Sequence, residues 1–228
     1  MSRHAAGKLD FHAVIPSYNV ADRLNTVLLK ILEFLPAKRI WVVDDGSEDG
    51  TGRIARAYKI QVIRHDRNRG KGAALKSGFK ACLDAGAEAV FTLDGDGQHD
   101  PAFIPSFIRR LIETDSGLVV GLRELRWPGM PPDRIFSNRT SSLITSIAAG
   151  RRIPDSQCGF RLYRREVLTR VQPETDRYEM ETEMLILAAR AGFRMGWCPV
   201  RTSYNGQTSH IRRLNDTARF LRLIGRFF

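Results

Sequence analysis

Between residues 11 and 123 the chain repeats one pattern: a short apolar run, a polar turn, then a segment with helical spacing. The apolar runs are "FHAVIPSY", "RIWVVDD", "IQVIRH", "AEAVFTLD" and "SGLVVGLR". The first segment between them, "ADRLNTVLLKILEFL", repeats Leu24, Val27, Leu28, Ile31, Leu32 and Leu35 at helical intervals. "EDGTGRIARAY", "GKGAALKSGFKACLDA" and "PAFIPSFIRRLIE" follow in the same role. Parallel strands need crossover connections, and helical crossovers cover both faces of the sheet. Strands covered on both faces read as continuous apolar runs, as these do. The expected fold class is therefore α/β, with a mostly parallel Rossmann-like central sheet and helices on both faces.

After Arg123 the alternation breaks. "ELRWPGMPPDR" predicts a mobile loop, and "IFSNRTSSLITSIAAG" a helix with a polar Ser/Thr/Asn face. "QCGFRLYRREVLTRV" predicts a strand and a short helix. "YEMETEMLILAARAG" predicts a helix ended by Gly192, "FRMGWCPVRTSY" a strand, and "RLNDTARFLRLIGRFF" a terminal helix. At about 100° per residue, the last helix carries Leu214, Leu221, Ile224 and Phe228 on one side and Arg219, Arg222 and Arg226 on the other. Such a helix can lie on an anionic membrane or pack on a sheet edge with its arginines in water. There is no internal repeat. The pattern predicts one domain over 1–228, with functional halves at about 11–123 and 124–212 and a C-terminal helix at 213–228.

With 228 residues the chain can bury one sizeable core. No apolar run reaches the roughly 18 residues that would span a bilayer, and the N-terminus lacks the apolar stretch of a secretory signal. Three cysteines, Cys82, Cys158 and Cys198, are too few and too far apart for a disulfide framework or a zinc site. A cytoplasmic location is expected, with peripheral contact at the inner face of the membrane left open. The net charge of +11 suits nucleic acid, anionic lipid or phosphorylated small molecules. Zinc-finger and RNP-type patterns are missing, so a nucleic-acid-binding protein stands only as the reading from another class.

In an open parallel sheet, ligands bind beyond the carboxyl ends of the strands. The distinctive polar residues fall there: Tyr18 and Asn19, Asp44 and Asp45, His65 to Arg67, Asp94 and Asp96, and Arg123. That phasing predicts a single crevice. Asp45, Ser47, Asp49 and Gly50 imitate half of a calcium loop, but its closing Glu would be Arg56. "DGDGQHD" also fails, with His99 where the central glycine belongs. Asp94 and Asp96, with Gln98 nearby, instead offer hard oxygen ligands to Mg²⁺ or Mn²⁺, a site that phosphates and water would complete. Asp100 before Pro101 reads as a helix cap. "RNRGKGAALKSG" looks like a basic phosphate cradle at a helix start, although it is neither a Walker loop nor a G-x-G-x-x-G fingerprint.

Eight stretches together resemble family 2 glycosyltransferases, nearest to the dolichyl- and polyprenyl-phosphate sugar transferases and their soluble bacterial relatives. They are "VIPSYN", "VVDDGSEDGT", "NRGKGAAL", "TLDGDGQHDP", "GLR", "DSQCGFRLYRREVL", "EMETEMLILAARAGF" and "VRTSYNGQTSH", in the family's order over about 11–212. The resemblance implies a GT-A fold and inverting transfer from a nucleotide-diphosphate sugar, with no nucleic-acid partner. It implies that Pro16, Tyr18, Asp44 and Asp45 surround the nucleotide, with Asp45 on the base and Lys71 close by. Asp94, Asp96 and Gln98 would hold the metal on the diphosphate, and Arg123 would lie where relatives bind phosphate.

For a hydroxyl acceptor an inverting transfer needs a general base, and Asp155 is the first candidate, with Glu181 and Glu183 behind it. A polyprenyl-phosphate acceptor is already anionic and needs cations instead; Arg134, Arg139, Arg161 and Arg201 are available, with Ser137 beside them. Two departures bear on the match. Val20 stands where relatives often have an acidic residue. Ser209–His210 stands where the lipid-phosphate enzymes often have Ser–Lys. A nucleotidyltransferase is the second enzyme reading, but it would want a glycine- and lysine-rich loop where this chain has "PSYNVADR".

Overall fold

A computed structural model describes residues 9–124, 130–201 and 213–228. The centre of the expected 124–134 loop, and Ser209 and His210, lie outside the described residues. The five early strands are β1 (Phe11–Ser17), β2 (Ile40–Asp44), β3 (Gln61–Arg64), β4 (Ala89–Thr92) and β5 (Leu118–Arg123). β6 (Arg161–Arg164) and β7 (Met195–Val200) follow. The helices are α1 (Ala21–Ile31), α2 (Thr51–Ala57), α3 (Lys71–Asp84), α4 (Ile104–Glu113), α5 (Pro132–Ala149), α6 (Arg165–Arg170), α7 (Glu179–Arg190) and α8 (Arg213–Gly225). α5 starts inside the "PPDR" stretch expected to be loop. Proline suits the first helical turn, where no backbone N–H is needed.

The sheet runs β3-β2-β1-β4-β6-β5-β7. β1 pairs in parallel with β2 and β4, β2 with β3, and β5 with β7. β6 enters between β4 and β5, antiparallel to both. The break in alternation after Arg123 thus marks the strand that reverses direction. The chain winds from β1 through β2 to β3, then returns to β4 on the other side of β1. That reversal is a topological switch point, where strand ends open a crevice.

The central strands bury Val14, Ile15, Val42, Val43, Phe91 and Val119 completely. α1 turns Leu24, Val27, Leu28 and Ile31 inward, as its spacing predicts. α3 lies so close to β1 that a Cβ on Gly78 would fall 2.3 Å from Val14 Cγ1. Phe107 stacks on Phe160 at 4.3 Å between ring centroids and locks α4 to the approach to β6. Asp100 caps the turn before α4 by accepting from the Ala102 N–H at 3.2 Å. The three cysteines are buried and unbridged.

α8 corrects the two-sided reading of the C-terminus. It packs against α5 and α7 along Leu223 and Ile224, which are buried, while Leu221 and Phe228 stay in solvent. Ile224 and Leu221 therefore do not share one environment. Arg226 pairs with Glu174 and Glu183, and Arg219 with Asp216. Among the described residues no helix is long and apolar enough to cross a membrane.

Candidate active site

The carboxyl ends of β1 and β2 are tied together by side chains from the "DDGSEDGT" turn. Val20 cannot cap α1, so the cap comes from across the crevice. Asn19 N–H donates to Ser47 Oγ at 3.0 Å, Val20 N–H to Thr51 Oγ1 at 3.1 Å, and Ala21 N–H to Asp49 Oδ2 at 2.9 Å. Asn19, at φ +50°, returns a bond by accepting from the Glu48 N–H. These bonds satisfy amides that a helix start leaves open, and they fix Tyr18 at the cavity edge.

Asp44 and Asp45 divide the work of the β2 end. Asp44 is fully buried and does not line the cavity. It accepts from the Ser47 N–H at 2.9 Å and from Arg64 Nη1 at 3.1 Å, so it shapes the turn. Asp45 does reach the cavity. Its carboxylate accepts from the Arg69 and Gly70 N–H groups at 3.0 and 2.8 Å and meets His65 Nδ1 at 2.6 Å.

The glycines of "RNRGKGAALKSG" serve a different end from the expected phosphate cradle. A Cβ on Gly70 would lie 2.6 Å from the Asp176 carbonyl oxygen, and one on Gly72 2.6 Å from its carbonyl carbon. The Asp176 carbonyl accepts from the Ala73 N–H at 2.8 Å. The start of α3 is thus occupied by protein: Asp45 on one side and the 176–177 backbone on the other. This contact carries Arg177 and Tyr178 into the site.

The resulting cavity has a volume of about 630 Å³. Pro16, Ser17, Tyr18 and Val20 line it from β1, and Asp94, Gly95 and Asp96 from β4. Asn68, Gly70, Lys71 and Ala74 contribute from the start of α3, and Arg177 and Tyr178 from the turn before α7. Asn215, Asp216 and Arg219 of α8 close one side. The structure therefore brings Pro16, Tyr18, Asp45, Lys71, Asp94 and Asp96 together, as expected. Arg177, Tyr178 and the α8 residues were not legible, because only the tertiary contact at Gly70 and Gly72 delivers the first two.

At the floor, Lys71 Nζ lies 2.7 Å from Asp94 Oδ1 and 2.7 Å from Glu181 Oε2. Burial alone would pull the Lys71 pKa down, but the two carboxylates outweigh it and hold the ammonium charged. Burial alone would push Asp94 up, and Lys71, with His99 and Arg161, outweighs it and holds the carboxyl below its ordinary value. Asp96 goes the other way, raised by burial and by the negative charge of Asp94, although its Oδ1 accepts from the Gln98 N–H at 2.9 Å. Glu181 and Glu183 are buried, so neither sits on a solvated helix face; Glu183 accepts from the Thr175 N–H and hydroxyl at 2.9 and 2.6 Å. His99, which in the sequence only ruled out a calcium loop, is buried close to this floor. Burial lowers its pKa to about 4, and its neutral ring packs on Phe160.

The donor set suits a hard divalent cation shared with phosphate. Asp94 and Asp96 are neighbouring carboxylates in one turn, and Asp96 is in the electrostatic state that an added cation would relieve. Among the described residues no cluster of three His, Cys, Asp or Glu side chains could hold a metal unaided. Completion by phosphate oxygens and water fits that count. Gln98 is half-buried and does not line the cavity.

The residues expected on the acceptor side are dispersed. Asp155 does not line the cavity. It is fully buried, and Arg123 grips it through Nε at 2.8 Å and Nη2 at 2.9 Å. The Gln157 and Cys158 N–H groups also donate to it, at 3.0 and 3.1 Å. Burial would raise its pKa, but Arg123 and these amides hold it below the ordinary value, which makes it a weak base. Arg161 is fully buried and donates to the carbonyls of Cys158, Ser156 and Glu181, so it is not the acceptor cation expected. Arg134 is half-buried on α5, Ser137 and Arg139 are exposed there, and Arg201 is exposed at the end of β7.

The glycosyl transferase family 2 model matches residues 12–171. A UDP-N-acetylglucosamine–dolichyl-phosphate N-acetylglucosaminyltransferase from Methanococcus voltae is 30% identical over 215 residues, covering 85% of this chain and 85% of that protein. An undecaprenyl-phosphate mannosyltransferase from Micrococcus luteus is 30% identical over 200 residues, covering 82% and 81%. Among solved structures, glucosyl-3-phosphoglycerate synthase from Mycobacterium tuberculosis superimposes with a TM-score of 0.71 at 20% identity, covering 98% of this chain and 80% of that one. That structure contains Mn²⁺, UDP and glucosyl-3-phosphoglycerate. The likeness bears out the GT-A fold.

Proposed function

This chain belongs to glycosyl transferase family 2 and is a glycosyltransferase, and we propose that it moves a sugar, with inversion, from a nucleoside diphosphate sugar to a polyprenyl phosphate. Family membership sets aside the nucleic-acid-binding and nucleotidyltransferase readings. The observation that carries the donor half is the ionic floor of Lys71, Asp94, Glu181 and Asp96 in a cavity at the switch point. Tyr18, Asp45 and Pro16 border the nucleoside. Asp94 and Asp96 would hold a divalent cation, Mg²⁺ or Mn²⁺, beside the diphosphate, and such a cation would supply positive charge to the leaving group. Lys71 adds a fixed positive charge nearby, and a cation placed before the bond breaks costs no reorganisation. Its two carboxylate partners hold it in place and charged.

The acceptor half rests on Asp155. A hydroxyl nucleophile needs a base at the reacting face. The expected base is enclosed by Arg123, by the Asn138 side chain and by the amides of its own loop, with its proton affinity held low. A phosphate monoester acceptor is ionised at neutral pH and needs no base. The relatives from Methanococcus voltae and Micrococcus luteus are named for lipid-phosphate acceptors. Arg134, Arg201 and Ser137 would receive the acceptor phosphate, and Arg123 would sit behind them as an anchored cation.

The test compares undecaprenyl phosphate with undecaprenol as acceptor for labelled nucleotide sugars. A lipid product that releases sugar in mild acid is expected from the phosphate alone. Transfer to undecaprenol at an equal rate would overturn the acceptor assignment.

A further inference from the structure

α5 is built inside out. Its polar residues face the protein: Asn138, Ser142 and Thr145 are at most 4% exposed. Asn138 Nδ2 donates to Gln157 Oε1 at 3.3 Å, Ser142 Oγ accepts from the Ser156 N–H at 3.0 Å, and Ser146 Oγ accepts from the Ile153 N–H at 2.9 Å. The inward face is thus spent on the 153–157 loop that holds Asp155. The opposite face points apolar side chains at water. Phe136 is 74% exposed, Leu143 62% and Ile147 58%. At 3.6 residues per turn these three and exposed Thr140 lie within an arc of about 60°. A helix on a water-facing surface carries the reverse pattern.

We propose that this face of α5 docks on an anionic lipid bilayer, with Phe136, Leu143 and Ile147 entering the headgroup boundary. Charge selects this occupant over a second copy of the chain. Arg139 flanks the stripe, and Arg151 and Arg152 follow the helix end, all exposed. Asp133 is the one acidic residue of α5. A two-fold interface would set this basic rim against itself, whereas acidic headgroups attract it. Leu221 and Arg222 of α8, which packs beside α5, extend the exposed apolar and basic character. The earlier expectation of membrane contact through α8 thereby moves to α5. The docking would bring a membrane-borne acceptor to the molecule, but its test needs neither sugar nor acceptor and stands apart from the transferase reading.

The experiment is co-sedimentation of the full chain with vesicles of phosphatidylcholine alone, or with about one third phosphatidylglycerol, at low and physiological salt. The wild type is expected to pellet with the anionic vesicles only. Leu143→Glu/Ile147→Glu, changed where both side chains already face solvent, should keep the melting temperature and lower vesicle binding about tenfold or more. Phe136→Glu should act in the same direction. Equal pelleting of wild type and double variant would overturn the proposal, as would no pelleting at all. A wild-type dimer in size-exclusion chromatography that the double variant dissolves would also overturn it, by assigning the face to a second copy.

Discussion

Replacing Asp155 separates a structural role from a chemical one. Its carboxylate is fully buried and joins Arg123 by two short bonds, at 2.8 and 2.9 Å, with Arg123 itself only 11% exposed. Removing one partner of a buried pair leaves an uncompensated charge, at a cost of about 3–5 kcal/mol. Asp155→Leu also strips the acceptor from the Gln157 and Cys158 N–H groups. About 4 kcal/mol is therefore expected, or a fall in Tm of about 8–16 °C for a chain of this size. Arg123→Met/Asp155→Leu removes both charges and should recover part of the loss, with a coupling energy of about 1–3 kcal/mol. Urea denaturation monitored by circular dichroism gives all the corners of the cycle. The pH dependence has a fixed sign. The folded-state pKa of Asp155 is lowered, so its contribution is present above the unfolded value near 4 and is lost as pH falls through the folded value. The gap between wild type and Asp155→Leu should close below about pH 4. If Asp155→Asn shifts stability by less than about 1 kcal/mol yet abolishes transfer, Asp155 acts in the chemistry and the reasoning fails.

Glu181→Gln should leave Lys71 with one carboxylate and lower kcat/KM by about tenfold or more through weaker placement of the ammonium, with donor binding measured by calorimetry weakened in parallel. Lys71→Met should cost more, about 100-fold in kcat/KM, because the cation at the diphosphate is gone. Gly78→Ala places a methyl 2.3 Å from Val14 Cγ1 and should destabilise by about 1–3 kcal/mol in urea without a direct effect on nucleotide affinity.

The repeated elements were legible because period and length both changed at each boundary. α1 shows why: the residues at helical spacing are the ones that enter the core. The crevice was legible because polar residues cluster after apolar runs, and six of the expected nucleotide and metal residues line one cavity. What failed was tertiary. Nothing in the sequence near Arg161 shows that its guanidinium is spent on three carbonyls. The glycines at 70 and 72 signal close approach, but not that the visitor is the 176–177 backbone. The polar face of α5 was visible, while its inward direction depends on bonds to the 153–157 loop that follows the helix. α8 was read with Leu221, Ile224 and Phe228 on one apolar side, yet Leu223 and Ile224 are the pair that is buried, while Leu221 and Phe228 are exposed.

The central claim is that Asp94 and Asp96 bind a nucleoside diphosphate through a divalent cation. Thermal denaturation with UDP-, GDP- and dTDP-sugars, with Mn²⁺ or with EDTA, tests it most directly. At about 100 times the dissociation constant, a bound ligand adds about 2.7 kcal/mol, or about 5–11 °C here. One nucleotide class should raise the Tm of the wild type in Mn²⁺, lose the effect in EDTA, and have none on Asp96→Ala. An equal rise in EDTA, or in Asp96→Ala, would contradict the claim.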